Sequence, residues 1–248
     1  KYVLTPEGTV RQFGSVVKSD EKAAMISSRR DNPNALRTNN GKGEIYKTTL
    51  ASKFVTLMAV KFATLDSEGI GMEMESDKPG WYDSLNGLPG LFGSSTPEVF
   101  ELRKLMLSFK KTLQENKTEQ IFVPYEVASL FKGLLKLLNQ KTDAFTFWDK
   151  ATALKESYRS SVIFGIDGKE EQVKSDDIIE FIEKAVIKIN SGLKKAIDKK
   201  TNLYLTYFRY EAVKYQKNNE KSIKGLPCVK ISKFEQYPLP LFLESETH

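Results

Sequence analysis

Cysteine and histidine are almost absent from this chain of 248 residues, and their scarcity excludes several kinds of site. The one cysteine, Cys228, excludes an internal disulfide and any cysteine-built metal cluster. The single histidine, His248, is the last residue and has the position of a tag remnant. A histidine general base, a Ser-His-Asp triad and a multi-histidine zinc site are therefore not expected within this chain. We expect no bound metal and no cofactor.

Long uncharged hydrophobic runs are also missing from the sequence. No stretch approaches the roughly 20 apolar residues that a membrane span requires, so no membrane partner is expected. The N-terminus has no basic cluster followed by an apolar core, as a signal peptide would have. We therefore expect a cytoplasmic location, which the single cysteine mildly favours. Because the chain begins with Lys1 rather than methionine, we also expect a fragment of a longer parent chain.

The net charge of +6 comes mainly from lysine, with 31 lysines against 7 arginines. Lysine-rich surfaces are usually solvated, whereas phosphate and base recognition favours the arginine fork, so we expect no nucleic-acid partner. Arg29, Arg30, Arg37 and Lys42 flank an asparagine-rich loop and could meet a phosphate or a polyanion. A solvated basic loop is the interpretation that we prefer.

Helical periodicity dominates most of the chain. Apolar spacing and capping residues predict helices over residues 19–30, 44–66, 96–113, 124–139, 144–164 and 175–198. The aromatic-rich segment 203–216 is ambiguous, with helix favoured over strand. The tail 229–243 alternates and contains prolines, which fits an edge strand or an extended arm. The sequence therefore predicts an all-α fold with a short extended or β C-terminal tail, over residues 1–248 as a single domain or part of one.

A long glycine-rich loop, residues 69–95, interrupts the helical pattern. Connections of this length are usually functional when they are not disordered. It contains candidate sugar-binding side chains: Glu73, Glu75, Trp81, Tyr82 and Asn86, with a further carboxylate at Asp83. Aromatic faces stack on sugar rings, amides donate hydrogen bonds to hydroxyls and accept them, and carboxylates accept hydrogen bonds from hydroxyls. The alternative is that the aromatic residues only plug one end of a helical core while the carboxylates face water.

The stretch Pro79-Gly80-Trp81-Tyr82-Asp83-Ser84-Leu85-Asn86-Gly87 resembles the catalytic loop of inverting glycoside phosphorylases of the cellobiose-phosphorylase type. That family has a Gly-Asp-Trp-Asn-Asp-x-x-Asn pattern, in which the aspartate two places after the tryptophan is the general acid. Trp81, Asp83 and Asn86 match the pattern, whereas Gly80 and Tyr82 stand where the family has aspartate and asparagine. The similarity covers residues 30–115 and extends to long bacterial proteins described as cellobiose-phosphorylase-like.

The resemblance implies a fold and an activity. It implies a toroid of helical hairpins, an (α/α) barrel, of which this chain would be one part. It also implies that Asp83 protonates the glycosidic oxygen of an oligosaccharide while inorganic phosphate, as co-substrate, attacks the anomeric carbon from the opposite face. The expected partners are then the oligosaccharide substrate and the remainder of the parent chain.

Two other functions stay open at this point. An inverting glycoside hydrolase would use Asp83 as the acid and Glu73 or Glu75 as the base that activates water. A non-catalytic helical domain that binds carbohydrate or a protein partner would need no acid at all.

Overall fold

The structure, a computed structural model, describes residues 2–12, 18–74, 92–222 and 225–239. The chain divides into two compact units. Unit 1 comprises Lys1–Lys18, Leu65–Phe100 and Ser191–His248, and unit 2 comprises Ser19–Thr64 and Glu101–Asn190.

Helices and strands are interspersed along the described residues. The helices are α1 (Asp20–Ser27), α2 (Leu50–Phe62), α3 (Pro97–Glu115), α4 (Tyr125–Leu138), α5 (Ala144–Ser161) and α6 (Ser175–Lys195). The strands are β1 (Tyr2–Leu4), β2 (Val10–Gln12), β3 (Met72–Met74), β4 (Phe92–Ser95), β5 (Gln120–Pro124), β6 (Glu170–Lys174), β7 (Tyr207–Lys221) and β8 (Pro227–Pro238).

Unit 1 is built on a six-stranded antiparallel sheet in the order β2-β1-β8-β7-β4-β3. The sheet curls into a half-barrel. Its longest pairing joins β7 and β8, which run antiparallel from Phe208 opposite Pro238 to Lys221 opposite Pro227. Both faces of the sheet are buried where β7 begins, since the consecutive residues Tyr207 and Phe208 are each less than 5% exposed, as is Cys228 on β8.

This sheet contradicts the all-α prediction, and with it the helical-hairpin toroid: the chain has a mixed helix and strand fold. The segment assigned to a helix at 203–216 mostly belongs to β7. Its aromatic residues fit a helical spacing, but tyrosine and phenylalanine also favour the pleated, half-buried surface of a sheet. The tail forms β8, which is not an edge strand because it pairs with both β1 and β7. The pairing along β7 and β8 therefore outweighed the local pattern.

The helical predictions locate the helices of both units well. Each of the six described helices overlaps a predicted one, and Ser19 caps α1 by accepting a hydrogen bond from the Lys22 amide at 3.2 Å. Helix α2 is shorter than predicted at both ends, since it stops at Phe62. Asp66 consequently lies beyond the helix, in the connection to β3.

Aromatic residues form the centre of unit 2. Phe62, Phe131 and Phe181 are each at most 1% exposed. The Phe181 ring lies 5.3 Å from that of Phe62 and 5.1 Å from that of Phe131, and Phe147 meets Phe62 edge-on at 6.0 Å. Edge-to-face and tilted contacts at these distances stabilise a core beyond the area they bury. The two-stranded sheet β5-β6 belongs to the same unit.

The asparagine-rich loop of unit 2 adopts the left-handed backbone that its composition favours. Asn32, Asn39, Asn40 and Gly41 all have positive φ angles, between 45° and 88°. The amides of Asn39 and Asn40 donate to the carbonyls of residues 167 and 166, at 3.0 and 2.9 Å. The loop is thus fixed by main-chain hydrogen bonds.

A close backbone approach in unit 1 joins the end of α6 to the connection before β3. A Cβ atom on Gly192 would lie 1.6 Å from the carbonyl oxygen of Gly69. That atom is main chain and cannot rotate away. Nearby, Ile70 packs with Ala196 and Phe208 in a buried cluster. Glycine at 192 is therefore required for α6 to approach this connection.

We expect Gly192→Ala to lower the free energy of unfolding by about 1–3 kcal/mol, because the added methyl group forces backbone movement. This loss should occur although alanine is the better helix former. Urea unfolding at neutral pH measures the difference. Ser191→Ala, at an exposed position of the same helix, is the control and should change stability by less than about 0.5 kcal/mol. Equal stability of the two variants would contradict the close approach.

Candidate functional site

Of the predicted site residues, Glu73 alone lies among the described residues, on β3. Glu75, Trp81, Tyr82, Asp83 and Asn86 lie outside them. The segment that carries the phosphorylase-like motif therefore connects β3 to β4 in the sequence, and the structure describes the two strands on either side of it. Those strands are antiparallel neighbours, with Met74 opposite Gly93 at their last described pair.

A buried aspartate organises the connection that leads into β3. Asp66 is 2% exposed, and its backbone amide donates to the Gly71 carbonyl at 2.9 Å. One carboxylate oxygen, Oδ1, accepts from the amides of Glu68 at 3.0 Å and Ile70 at 2.9 Å. The other, Oδ2, accepts from the Gly71 amide at 2.6 Å. Residues 66–71 thus fold around the side chain of their first residue, as in an extended Asx turn.

Side chains from three strands continue the hydrogen bonding from Asp66. The Ser94 hydroxyl on β4 donates to Oδ2 of Asp66 at 2.8 Å and contacts the Tyr210 hydroxyl of β7 at 2.8 Å. Either hydroxyl can be the donor in the contact between Ser94 and Tyr210. The Gln236 side-chain amide on β8 then donates to Tyr210 at 2.5 Å. We call these four residues, Asp66, Ser94, Tyr210 and Gln236, the Asp66 chain.

Burial and hydrogen bonding oppose each other at the two titratable members of the Asp66 chain. Burial raises the pKa of Asp66 above its ordinary 3.8, although the Tyr210 hydroxyl and the amides of Ile70 and Gly71 favour the charged form. Burial, and then the nearby Asp66 charge, raise the pKa of Tyr210 well above 10. Tyr210 therefore remains protonated and available as a donor. Among the described residues, no lysine or arginine forms an ion pair with Asp66.

The geometry of the Asp66 chain fits a supporting role. Asp66 and Ser94 are at most 2% exposed, so neither can touch a substrate in this state. The hydrogen bonds of the Asp66 chain connect the turn at 66–71 to strands β4, β7 and β8. It therefore holds the strand that ends before residue 75 and the strand that begins after residue 91 in a fixed register.

Glu73 lies on the same face of the sheet as the Asp66 chain. Its Cα is paired with that of Ser94, which is paired in turn with Phe208 on β7. Successive strand residues alternate between faces, so Met72 and Met74 take the other side. Glu73 is half-buried, and its charge makes a small contribution to the raised pKa of Tyr210. Glu73 is thus the one predicted site residue whose position the structure describes.

Sequence reasoning missed the whole Asp66 chain. Asp66 was assigned to the end of a helix, although the glycines at 69 and 71 that follow it are a turn signal. Ser94, Tyr210 and Gln236 carry no local signal, because what unites them is strand pairing between distant parts of the chain. Of the aromatic residues Tyr204, Tyr207, Phe208, Tyr210 and Tyr215, which we interpret from the sequence as packing residues, Tyr207, Phe208 and Tyr210 are at most 6% exposed, whereas Tyr204 is 39% exposed.

Within the ranges that the structure describes, no three histidine, cysteine, aspartate or glutamate side chains are grouped closely enough to hold a metal ion. None of the helices in the described part of the chain has both the length and the apolar character needed to cross a membrane. No protein-family model and no curated protein matches the chain.

We expect the stability contribution of Asp66 to fall as the pH rises. The pKa is higher in the folded protein than the ordinary value near 3.9 of an unfolded chain, so folding favours the protonated carboxyl. That contribution is complete below about pH 4 and is lost between there and the folded-state pKa. The asparagine side chain in Asp66→Asn would stay neutral throughout. The free energy of unfolding of wild type minus that of Asp66→Asn should therefore decrease above about pH 4, by at most about 1.4 kcal/mol per pH unit.

Urea unfolding of both proteins between pH 4 and 7 measures this difference. A second contribution to this difference is independent of pH: Asp66→Asn should lose about 1–3 kcal/mol because its amide NH₂ meets the Gly71 amide donor. Asp149→Asn, at an exposed position of α5, removes the same charge and should show neither effect. A difference between wild type and Asp66→Asn that grows with pH would mean that the carboxylate is favoured by folding.

Proposed function

We propose that this protein cleaves β-glucosides with inorganic phosphate and that Asp83 is the general acid. The observation that carries the proposal is the motif Trp81-x-Asp83-x-x-Asn86, which resembles the acid-bearing loop of inverting glycoside phosphorylases. The helical toroid of that family is not part of the proposal. Among the described residues, the pairing of β3 with β4 supports the proposal. Catalytic residues often lie on loops that a rigid scaffold positions, and these two strands precede and follow the motif segment.

The proposed reaction needs one protein acid and no protein base. Asp83 transfers its proton to the glycosidic oxygen as the bond between that oxygen and the anomeric carbon breaks. A phosphate oxygen forms the new bond to the anomeric carbon from the opposite face, so its configuration inverts. The products are a sugar 1-phosphate and a shortened sugar. The proton that the phosphate group then releases restores the acid form of Asp83.

The Asp66 chain supports this activity indirectly. General-acid catalysis requires the acid within hydrogen-bond reach of the leaving oxygen, and small displacements are costly. Ser94 is fully buried on β4, and its hydroxyl donates to Asp66, which joins β4 to the turn at 66–71 that precedes β3. A rigid pair of strands that precedes and follows residues 75–91 in the sequence reduces the freedom that substrate binding must otherwise remove.

A second candidate is an inverting hydrolase, and the position of Glu73 favours considering it. Such an enzyme needs a carboxylate base about 6.5–9.5 Å from the acid, with room for a water molecule between them. Glu73 is half-buried at the end of β3, two residues before the segment that contains Asp83. Glu75 is the other candidate base. The two reactions differ in product, because the hydrolase releases free sugar without phosphate.

We expect Asp83→Asn to reduce turnover at least about 100-fold while leaving the thermal unfolding midpoint unchanged, since the amide cannot donate the required proton. The full-length protein is incubated with cellobiose and other short β-glucosides, with and without inorganic phosphate. Sugar 1-phosphate and free sugar are both quantified. Asp77→Asn, which alters a carboxylate of the same segment outside the motif, is the matched control and should retain activity.

Each outcome of that assay has one meaning. Phosphate-dependent sugar 1-phosphate that disappears in Asp83→Asn supports the proposal. Free sugar that forms without phosphate indicates the inverting hydrolase instead, provided that Glu73→Gln or Glu75→Gln abolishes its formation. Saturable sugar binding without either product favours a non-catalytic carbohydrate-binding domain. Wild-type turnover in Asp83→Asn removes that residue from the role of acid.

A further inference from the structure

Unit 2 contains a pocket that the proposed function does not use. It has a volume of about 260 Å³ and is lined by α1, by the loop that follows it and by the turn after α5. Three basic side chains line it, those of Lys22, Arg29 and Arg37. No aspartate or glutamate of the described ranges does so. The pocket is therefore strongly one-sided in charge.

Both arginines are held in place by main-chain carbonyls. Arg29 donates to the carbonyls of Pro33 at 2.8 Å, Ala35 at 3.2 Å and Gly41 at 2.8 Å. Arg37 donates to the carbonyls of residue 43 at 3.3 Å and residue 31 at 2.9 Å. These bonds fix the guanidinium planes and fold the loop around them. They correct the sequence interpretation of a freely solvated basic loop at these two positions.

Carbonyl oxygens leave the positive charge of the pocket uncompensated. Lys22, Arg29 and Arg37 form no ion pair with any described residue. A guanidinium has five N–H donors, and the described bonds use three on Arg29 and two on Arg37. The buried Nε atom of each arginine has no partner within the described part of the chain. Buried or half-buried cations are normally paired, so this arrangement is suited to an anion.

Apart from Asn34, the other side chains that line the pocket are apolar. Met25 and Ile26 contribute from α1, and Val162 and Phe164 contribute from the turn after α5. Ligand pockets for drug-sized molecules usually have volumes of about 300–1,000 Å³, and this one is slightly smaller. The size and lining therefore suit a small molecule with one anionic group and a compact, largely apolar body.

We propose that this pocket binds a small phosphate monoester, with its phosphate group at Lys22, Arg29 and Arg37 and its organic part against Met25 and Phe164. Phosphate matches the planar arginine fork and accepts several charge-assisted hydrogen bonds at once. The site lies wholly within unit 2, whereas the motif segment belongs to unit 1. The inference is thus independent of the proposed reaction.

Calorimetric titration of the full chain tests the proposal with three probes: phenyl phosphate, inorganic phosphate and phenol. Phenyl phosphate should bind at one site, and higher ionic strength should weaken it. Phenol should not bind. Lys22→Met should weaken phenyl phosphate binding at least about tenfold, because one charged donor is removed. The side chain of Lys22 holds no loop carbonyl, so this variant should fold normally.

Lys42→Met is the matched control, since Lys42 is exposed on the same loop and does not line the pocket. It should leave phenyl phosphate binding essentially unchanged. Arg37→Met should abolish phenyl phosphate binding. Circular dichroism of the Arg37→Met protein checks that this variant still folds. If inorganic phosphate binds as tightly as phenyl phosphate with the same dependence on Lys22, the pocket is a site for free phosphate.

Besides equally tight binding of inorganic phosphate, which would replace the monoester as the ligand, two results would overturn the proposal. One is the absence of saturable binding by either phosphate compound. The other is binding that both Lys22→Met and Arg37→Met leave intact, because the phosphate would then be held elsewhere, as at the proposed catalytic segment. Neither result bears on whether Asp83 is an acid, and loss of turnover in Asp83→Asn does not bear on the pocket.

Discussion

The burial of the Asp66 carboxylate is the constraint on which unit 1 depends. Removing a carboxylate from water costs several kcal/mol, and here no described cation offsets that cost. Both oxygens must instead be satisfied by neutral donors. Three are backbone amides of the turn at 66–71, and a fourth is the Ser94 hydroxyl on β4. The turn and the sheet therefore have to form together, because either alone leaves the carboxylate with unsatisfied hydrogen-bonding capacity.

The glycines around Asp66 follow from this constraint. Gly71 donates its amide to Oδ2 at 2.6 Å, and a Cβ atom on it would lie 2.5 Å from the Ser94 hydroxyl oxygen. A residue larger than glycine at position 71 would separate the Gly71 amide from the Ser94 hydroxyl, and these are the two donors that meet at Oδ2 of Asp66. Gly192 plays the corresponding part on α6, where the helix passes within contact of Gly69. Glycine-rich composition before β3 thus reflects close packing around a buried charge, in addition to the conformational freedom that glycine usually supplies.

How much of the fold could be predicted depended on whether the signal was local. Helices such as α4 and α6 have apolar stripes that repeat every three to four residues, and capping adds further information, so their positions follow from the sequence. Strands β3 and β4 have only three and four residues and lie in a segment that reads as loop. Strand β7 has aromatic spacing that fits two periods. This segment is a strand because it pairs with β8. That pairing joins two segments of the chain, so the sequence of β7 alone does not reveal it.

The same distinction separates the two sites. The Trp81-x-Asp83-x-x-Asn86 motif is contiguous, so the sequence alone identifies it. The Asp66 chain joins four residues from four elements and is visible only after folding. Its one advance sign is the sequence Asp66-Ser67-Glu68-Gly69-Ile70-Gly71, in which an aspartate precedes two glycines directly after a helix. A turn of that composition indicates local hydrogen bonding to the carboxylate, but it does not reveal the strands that complete the network.

Each unit contains charged groups that are at least partly removed from water, and the two units stabilise them differently. This difference explains why the Asp66 chain supports the structure whereas the pocket of unit 2 can bind a ligand. In unit 1, an anion is enclosed by N–H and O–H donors on both oxygens, and its pKa is raised so that protonation further relieves the burial. In unit 2, the cations Arg29 and Arg37 are held by main-chain carbonyl oxygens rather than by carboxylates. Carbonyl oxygens position these cations without neutralising them. A closed network such as the Asp66 chain has little left to offer a ligand, whereas a pocket with fixed cations and unused donors retains an electrostatic potential that an anion can satisfy.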